Sequence, residues 1–356
     1  MTVAVVENGV QASLGDLKGQ VLPGRDFSGR NPGAQHEEPS PGTDKFGHGS
    51  DMAILIAGTG RGAGMKGVAP KAKILPVALG RNSQGRYEDS TLAEGIRWAV
   101  DHGADIVNLS LGGPGACNPV LGAAVSYAYR HDVIVVASAA DSPGPVSAPA
   151  NCPGAIAVGG VDSGFKPWVN TPTGPEVDFV APAFNLVNEE LDGSLRGPDP
   201  KAAGTSQAAA LVSGTFALLR AKFPHDPARR LVSRALYNVH NGLGTGNVGK
   251  RIDDRLGYGE ILPYFALTLS PPSSFANPIY DRFARELGAS SSTSSAAPTS
   301  APVSGSSAPA SSPAASSANS SDSGGVSSAL VAVIVVAALV VLAAILFALR
   351  RRSRTT

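Results

Sequence analysis

The chain has 356 residues, with 29 Lys and Arg against 28 Asp and Glu, a formal net charge of +1, and a hydrophobic fraction of 43%. That balance excludes a nucleic-acid protein built on a basic surface, because neutralising phosphates demands a strongly cationic footprint. Only 16% of the residues are charged, below the roughly 25% usual in soluble domains, so apolar or low-complexity sequence must dilute the charge.

In chain order, short apolar runs at residues 3–6, 74–79, 106–111, 133–137 and 155–158 are bounded by Gly, Pro or polar turns and read as buried strands. They lack polar alternation, which favours a parallel sheet covered on both faces. Helical patterns fall at 51–57, 91–102 and 121–130, and another at 207–223 ends at Pro224. The second of these puts Leu92, Ala93, Ile96, Ala99 and Val100 on one face before Gly103 stops it. The alternation predicts a doubly wound, mostly parallel α/β domain over residues 1–288, with its working surface at the C-terminal ends of the strands.

The diluting sequence follows. Residues 289–328 hold 18 Ser, 9 Ala and 4 Pro with Asp322 as the one charge, a composition that cannot bury enough apolar surface to offset chain entropy and so reads as a disordered linker. Residues 329–349 carry no charge and no strongly polar side chain, and at ~1.5 Å per residue they span about 31 Å, the thickness of a bilayer core. Arg350, Arg351, Arg352 and Arg354 come next, and clustered Arg beside a span favours the cytoplasmic side. The expected layout is a single-pass protein of the cell membrane, with residues 1–288 outside and the tail at 350–356 inside.

The opening Met1-Thr2-Val3-Ala4-Val5-Val6 lacks the basic stretch and long apolar run of a signal peptide. Because that conflicts with the layout, the natural N-terminus is expected to precede this start. Cys117 and Cys152 are the two cysteines, each in a Gly/Pro-flanked loop. Their even count suits one disulfide in an oxidising compartment, with two buried thiols as the alternative.

Two motifs can be set aside. Gly58-Thr59-Gly60-Arg61-Gly62 follows a helical pattern and not a strand, which removes the context of a dinucleotide fingerprint. The six histidines include no pair at metal-ligand spacing on one helix.

Chemistry concentrates in two remaining segments. Phe46-Gly47-His48-Gly49-Ser50 places a histidine at a helix start among small neighbours that would let a substrate backbone approach. Gly204-Thr205-Ser206-Gln207-Ala208 places a hydroxyl at another helix N-terminus, where orphan N–H groups favour developing negative charge. A nucleophilic serine needs a base, and histidine titrates near neutrality unaided. Alone, Ser206 would read as an ordinary helix cap.

Together these segments resemble the subtilisin-like serine proteases. Gly47-His48-Gly49-Ser50 is close to the family's His motif, Gly204-Thr205-Ser206 with Ala208, Val212 and Gly214 matches its nucleophile motif, and Gly257-Tyr258-Gly259 resembles its closing segment. Val107-Asn108-Leu109-Ser110-Leu111-Gly112-Gly113 looks like one wall of its specificity pocket, implying substrate contacts by Ser110, Leu111 and Gly112. The linker, membrane segment and basic tail narrow the likeness to the mycosins, membrane-anchored subtilases associated with type VII secretion. The resemblance implies a protein or peptide substrate, that secretion machinery as a partner, and no cofactor, with structural calcium left open.

Two positions depart from the family. Glu7, in Val5-Val6-Glu7-Asn8-Gly9, stands where the family's triad Asp ends the first strand. It keeps the charge but adds a methylene, a displacement of about 1 Å that can cost on the order of 100-fold in rate. Asp44 and Asp51 lie near His48 in sequence as substitutes, read chiefly as exposed loop charges. Ser138-Ala139-Ala140-Asp141 resembles the strand end whose Gly-Asn pair supplies an oxyanion donor; here Ala140 and Asp141 occupy those places. A carboxylate at 141 would donate only if burial kept it protonated. Two functions remain: a serine endopeptidase with Glu7, His48 and Ser206 as its triad, and a pseudoprotease that binds peptides or secretion components without cleaving.

Overall fold

β1 (Thr2–Glu7) is apolar on both faces: Val3 and Val5 pack into one core, Ala4 and Val6 into another. A strand of that kind belongs inside a sheet covered on both sides. In a computed structural model that describes residues 1–293 apart from 30–32, 41–42, 44, 199–202 and 243–248, the chain continues through β2 (Arg25–Asp26), α1 (His48–Ala57), β3 (Lys73–Ala78), α2 (Asp89–Asp101), β4 (Ile106–Leu109), α3 (Pro119–Arg130), β5 (Ile134–Ser138), β6 (Ile156–Val161) and β7 (Val177–Pro182). There follow a hairpin of β8 (Asn188–Glu189) and β9 (Leu195–Arg196), then α4 (Thr205–Lys222), α5 (Ala228–Tyr237), β10 (Val239–His240), β11 (Glu260–Ile261), α6 (Pro263–Thr268) and α7 (Pro278–Thr293).

The main sheet runs β10-β11-β7-β6-β5-β4-β1-β3-β2. It is parallel except where β10 meets β11, as the uninterrupted apolar runs imply. β1 lies between β3 and β4, so the chain winds away from it in both directions and leaves a crevice at its C-terminal end. Residues of α1 and α4 join the core on one face, and those of α2 and α3 the core on the other. α4 is apolar or small nearly all round and buried along most of its length, which fits a helix in the interior of a domain.

The expected strand at 106–111 stops at Leu109, which releases Ser110, Leu111 and Gly112 from the ladder. β7, α5, α6 and α7, like the two-residue strands β2 and β8 to β11, lie outside the sequence patterns. α7 carries helix to Thr293, beyond the expected linker boundary at 289. The rest of that linker, the 329–349 segment and the basic tail lie outside the described residues. Among the described residues no helix is long and apolar enough to cross a membrane.

Candidate active site

Glu7 is the last residue of β1 and His48 the first of α1, so both stand at the C-terminal edge of the sheet. His48 Nδ1 lies 3.1 Å from Glu7 Oε1, within ion-pair reach, although among the described residues neither atom meets hydrogen-bond geometry. The other carboxylate oxygen, Oε2, accepts from the Tyr87 hydroxyl at 3.2 Å. Glu7 is 1% exposed. Burial pulls the imidazole pKa down, but the charge of Glu7, with Glu37 and Asp51 behind it, pushes the other way and prevails. Burial foremost, and then Glu7, hold the Tyr87 phenol well above its ordinary value.

Asp51 corrects the reading of an exposed loop charge. It sits in the first turn of α1, 1% exposed, and is paired with Arg196 of β9. Arg196 also stands 4.7 Å over the Phe46 ring and 3.7 Å from Glu190. Burial raises the Asp51 carboxyl to about 7 against the pull of Arg196. Committed to that guanidinium, Asp51 does not take the place of Glu7. Asp44 lies outside the described residues.

The small residues beside His48, read as room for substrate, instead admit protein. A Cβ on Gly49 would come 2.1 Å from the Gly9 carbonyl oxygen, and one on Gly47 2.5 Å from Leu191. The N-cap Gly47 has no side chain with which to close α1. Glu37 closes it from outside: its carboxylate accepts the Gly49 and Ser50 N–H groups, each at 2.7 Å, and the Ser50 hydroxyl. The sequence offered no signal for Glu37, because the amides it binds lie twelve and thirteen residues onward, outside any local capping pattern.

Ser206 occupies the first turn of α4, after a Gly204 N-cap in extended conformation. Its backbone N–H is therefore among the donors a helix leaves unpaired. The Ser206 hydroxyl donates to the Ser110 carbonyl at 3.1 Å, and Ser110 Oγ donates to the Ser206 carbonyl at 2.9 Å. Asn108 Nδ2 donates to Ser110 Oγ at 3.0 Å, and Asn108 Oδ1 accepts from Ser213 Oγ at 2.8 Å, so β4 and α4 are stitched beside Ser206. No hydrogen bond among the described residues joins Ser206 to His48, a contact that often tightens only with substrate bound.

Asp141 is exposed. Its Oδ1 accepts the Thr205 N–H at 2.7 Å and lies 3.1 Å from Thr205 Oγ1. It thus acts as an acceptor at the start of α4. The preceding Ala140 has φ +117°, in a region that only glycine enters without strain.

His48, Ser206, Ser110, Leu111, Gly112 and Asp141 all line one cleft of about 650 Å³; Glu7 sits behind His48. An adjoining pocket of about 470 Å³ shares Arg81, Tyr87 and the 111–114 wall. That wall is held by Gly113 N–H to the Ala148 carbonyl and Ala148 N–H to the Gly115 carbonyl, both 3.1 Å. The Cys117–Cys152 disulfide, S–S 2.01 Å, links the same two loops, as the cysteine count suggests. In the glycine-rich loop the Gly62 and Met65 amides bind the Asp16 carboxylate, both at 2.7 Å, an internal anion where a phosphate would sit in a nucleotide site.

The model of the Subtilase family, Peptidase S8, matches residues 1–259. Subtilisin DY of Bacillus licheniformis is 32% identical over 248 residues, which is 68% of this chain and 84% of that protein. The major intracellular serine protease of Bacillus subtilis (strain 168) is 35% identical over 237 residues, 64% of this chain and 71% of the other. Among solved structures, the MycP3 protease from the type VII (ESX-3) secretion system aligns with a TM-score of 0.64 at 30% identity, covering 76% of this chain and 83% of that one. MycP1 from Mycobacterium smegmatis gives 0.63 at 25% identity, covering 78% and 82%.

Proposed function

Because the chain belongs to the subtilase family, we propose that it is a membrane-anchored serine endopeptidase in which Ser206 attacks the peptide carbonyl and His48 carries the proton. The observation that supports this most is the convergence of His48 from α1, Ser206 from α4 and the Ser110–Leu111–Gly112 wall after β4 on one cleft. In the first step Ser206 Oγ adds to the carbonyl carbon as its proton passes to the imidazole. The Ser206 N–H, at the positive end of α4, faces the developing oxyanion. His48 then returns the proton to the leaving amine, giving an acyl-enzyme that water hydrolyses by the same relay. Glu7 stabilises the imidazolium by charge from an off-line position.

The imidazole accepts a proton only when neutral, and the surrounding carboxylates favour its charged form. Turnover is therefore expected to rise with pH through a midpoint above the ordinary imidazole value of about 6.5. Residues 329–349 would anchor the chain with the peptidase domain outside the cell and the Arg-rich tail in the cytoplasm. The likeness to MycP3, described as part of a type VII secretion system, makes such machinery the expected partner, and a protein or peptide the expected substrate.

A second reading, a peptide-binding pseudoprotease, is favoured by the misaligned Glu7–His48 contact and by the acceptor role of Asp141. Labelling of the full chain in membranes by a fluorophosphonate between pH 7 and 9 separates the two. Slow labelling that disappears in Ser206→Ala is expected for the endopeptidase. Labelling that appears only after Glu7→Asp with Asp141→Asn would establish the pseudoprotease. The anchor is tested by protease protection of a C-terminal tag in intact spheroplasts; a tag digested from outside would overturn the topology.

A further inference from the structure

Residues 33–40 form no helix or strand, yet they are pinned beside the site. Val10 N–H donates to the Ala34 carbonyl and Ala12 N–H to the Gln35 carbonyl, both at 3.1 Å, and Glu37 N–H donates to Gln11 Oε1 at 3.2 Å. These bonds lay Glu37 between the loop leaving β1 and the first turn of α1. Its side chain is 2% exposed, and its two oxygens take two of the amides that the helix start leaves unpaired, those of Gly49 and Ser50. A buried carboxylate with two charge-assisted bonds to one helix start is held firmly, and it holds the helix firmly in return.

We propose that Glu37 is a positioning residue for His48: its carboxylate fixes the first turn of α1 and stands as a negative charge behind the imidazole, setting where and in which charge state that ring meets Ser206. The proposal rests on the reading of His48 as the proton carrier. Around Glu37 stand Glu7 at the end of β1, with Tyr87 bonded to it, and His48 and Asp51 on α1. The β8–β9 hairpin brings Arg196 and Glu190, and Arg196 is engaged by Asp51. Lys45 is paired with Asp192 at 3.0 Å, and on Glu37's own segment His36 is paired with Glu38 at 2.8 Å. Arg81 lines the same cleft and lies 4.4 Å over the Tyr87 ring, and the carboxylates whose charge reaches the imidazole are Glu7, Glu37 and Asp51. Burial raises the Glu37 carboxyl to about 7, so it is ionised in the alkaline range where His48 gives up its proton, and its charge there favours the imidazolium.

The test is an NMR titration of the His48 ring, by selective isotope labelling of histidine in the full chain, compared across wild type, Glu37→Gln and Glu37→Asp. In Glu37→Gln the His48 midpoint is expected to fall by about one pH unit. Glu37→Asp, which keeps the charge but draws it back by a methylene, should lie between that variant and wild type, and it decides the matter where Glu37→Gln loses its cooperative thermal transition. A His48 midpoint unmoved in the folded variants overturns the proposal, since a purely structural cap would leave it in place. Fluorophosphonate labelling of the wild type is run alongside. Its absence would remove the endopeptidase reading, while the midpoint comparison still decides the role of Glu37.

Discussion

The two halves of the cleft are built on different principles. On the α1 side His48 is surrounded by charge: Glu7, Glu37 and Asp51 are all nearly fully buried, with Arg196 paired to Asp51 and Arg81 over the Tyr87 ring. On the α4 side the nucleophile is held by neutral bonds among Asn108, Ser110, Ser206 and Ser213, and the nearest charge, Asp141, is exposed and turned to the Thr205 amide. Under the proposed mechanism, the first half favours the protonated imidazole, and the second half sets a carboxylate where an oxyanion donor would serve. Any catalytic weakness therefore has two separable sources, one in proton affinity and one in transition-state charge.

Asp141→Asn should show the larger effect. An amide at this position keeps an oxygen to accept the Thr205 N–H and gains an N–H₂ group to turn toward the oxyanion, and one such donor is worth about 100-fold or more in kcat. The expected outcome is a rise of about that size in the rate of fluorophosphonate labelling and of peptide turnover, with KM little changed. An unaltered rate would mean that the α4 half already stabilises the oxyanion by backbone donors alone. Glu7→Asp acts on the other half. Shortening the side chain withdraws the off-line oxygen and restores the reach of an aspartate, for an expected gain of about 10-fold in kcat. A loss would show that the bond from Tyr87 has adapted the site to glutamate.

How much of this was legible in the sequence follows from the range of the interactions. β1, β3, β4, β5 and β6 were readable because buried parallel strands are continuous apolar runs. β7 was not, because Asp178 interrupts Val177–Pro182. That aspartate is fully buried and accepts the Ala157 N–H at 3.1 Å, so a structural carboxylate looks like a loop residue in one dimension. α5 was missed for a similar reason, since Arg229, Arg230 and Arg234 dilute a short apolar face that packs through Leu231, Val232 and Leu236. His48, Ser206 and the 110–112 wall were readable because each lies in a compact motif. Glu37, Tyr87 and Arg196 reach the site from separate loops and a hairpin, and no local spacing reports such meetings.

The buried carboxylates also make stability depend on pH. Burial holds Glu37, Asp51 and Asp178 above the ordinary carboxyl range, each at about 7, and its carboxylate neighbours hold His48 above the imidazole range. Between about pH 4 and those raised midpoints these carboxyls bind more protons in the folded chain than in the unfolded one, so their contribution to stability falls as pH rises. The His48 share is complete below about pH 6.5 and fades through its raised folded value. Thermal unfolding is therefore expected at a higher temperature near pH 5 than near pH 8. The reverse order would mean that the buried carboxylates on the α1 side do not carry the proton affinity assigned to them.

The smallest effect lies at the turn before Asp141. Ala140 is held at φ +117°, while its N–H donates to Thr205 Oγ1 at 3.2 Å and its carbonyl accepts from the same hydroxyl at 3.0 Å. Both bonds run through backbone atoms, so Ala140→Gly keeps them and removes the Cβ that makes this conformation costly, by about 1–3 kcal/mol. Glycine returns part of that gain as extra freedom in the unfolded chain, about 0.4–1 kcal/mol. The net expectation is a stabilisation of about 1 kcal/mol in chemical denaturation, with the labelling rate of Ser206 almost unchanged. Stabilisation without a change in rate would show that the strain belongs to the scaffold under α4. A change in rate instead would mean that the strained turn also sets the position of Asp141, so that the strain and the carboxylate on the α4 side act as one feature.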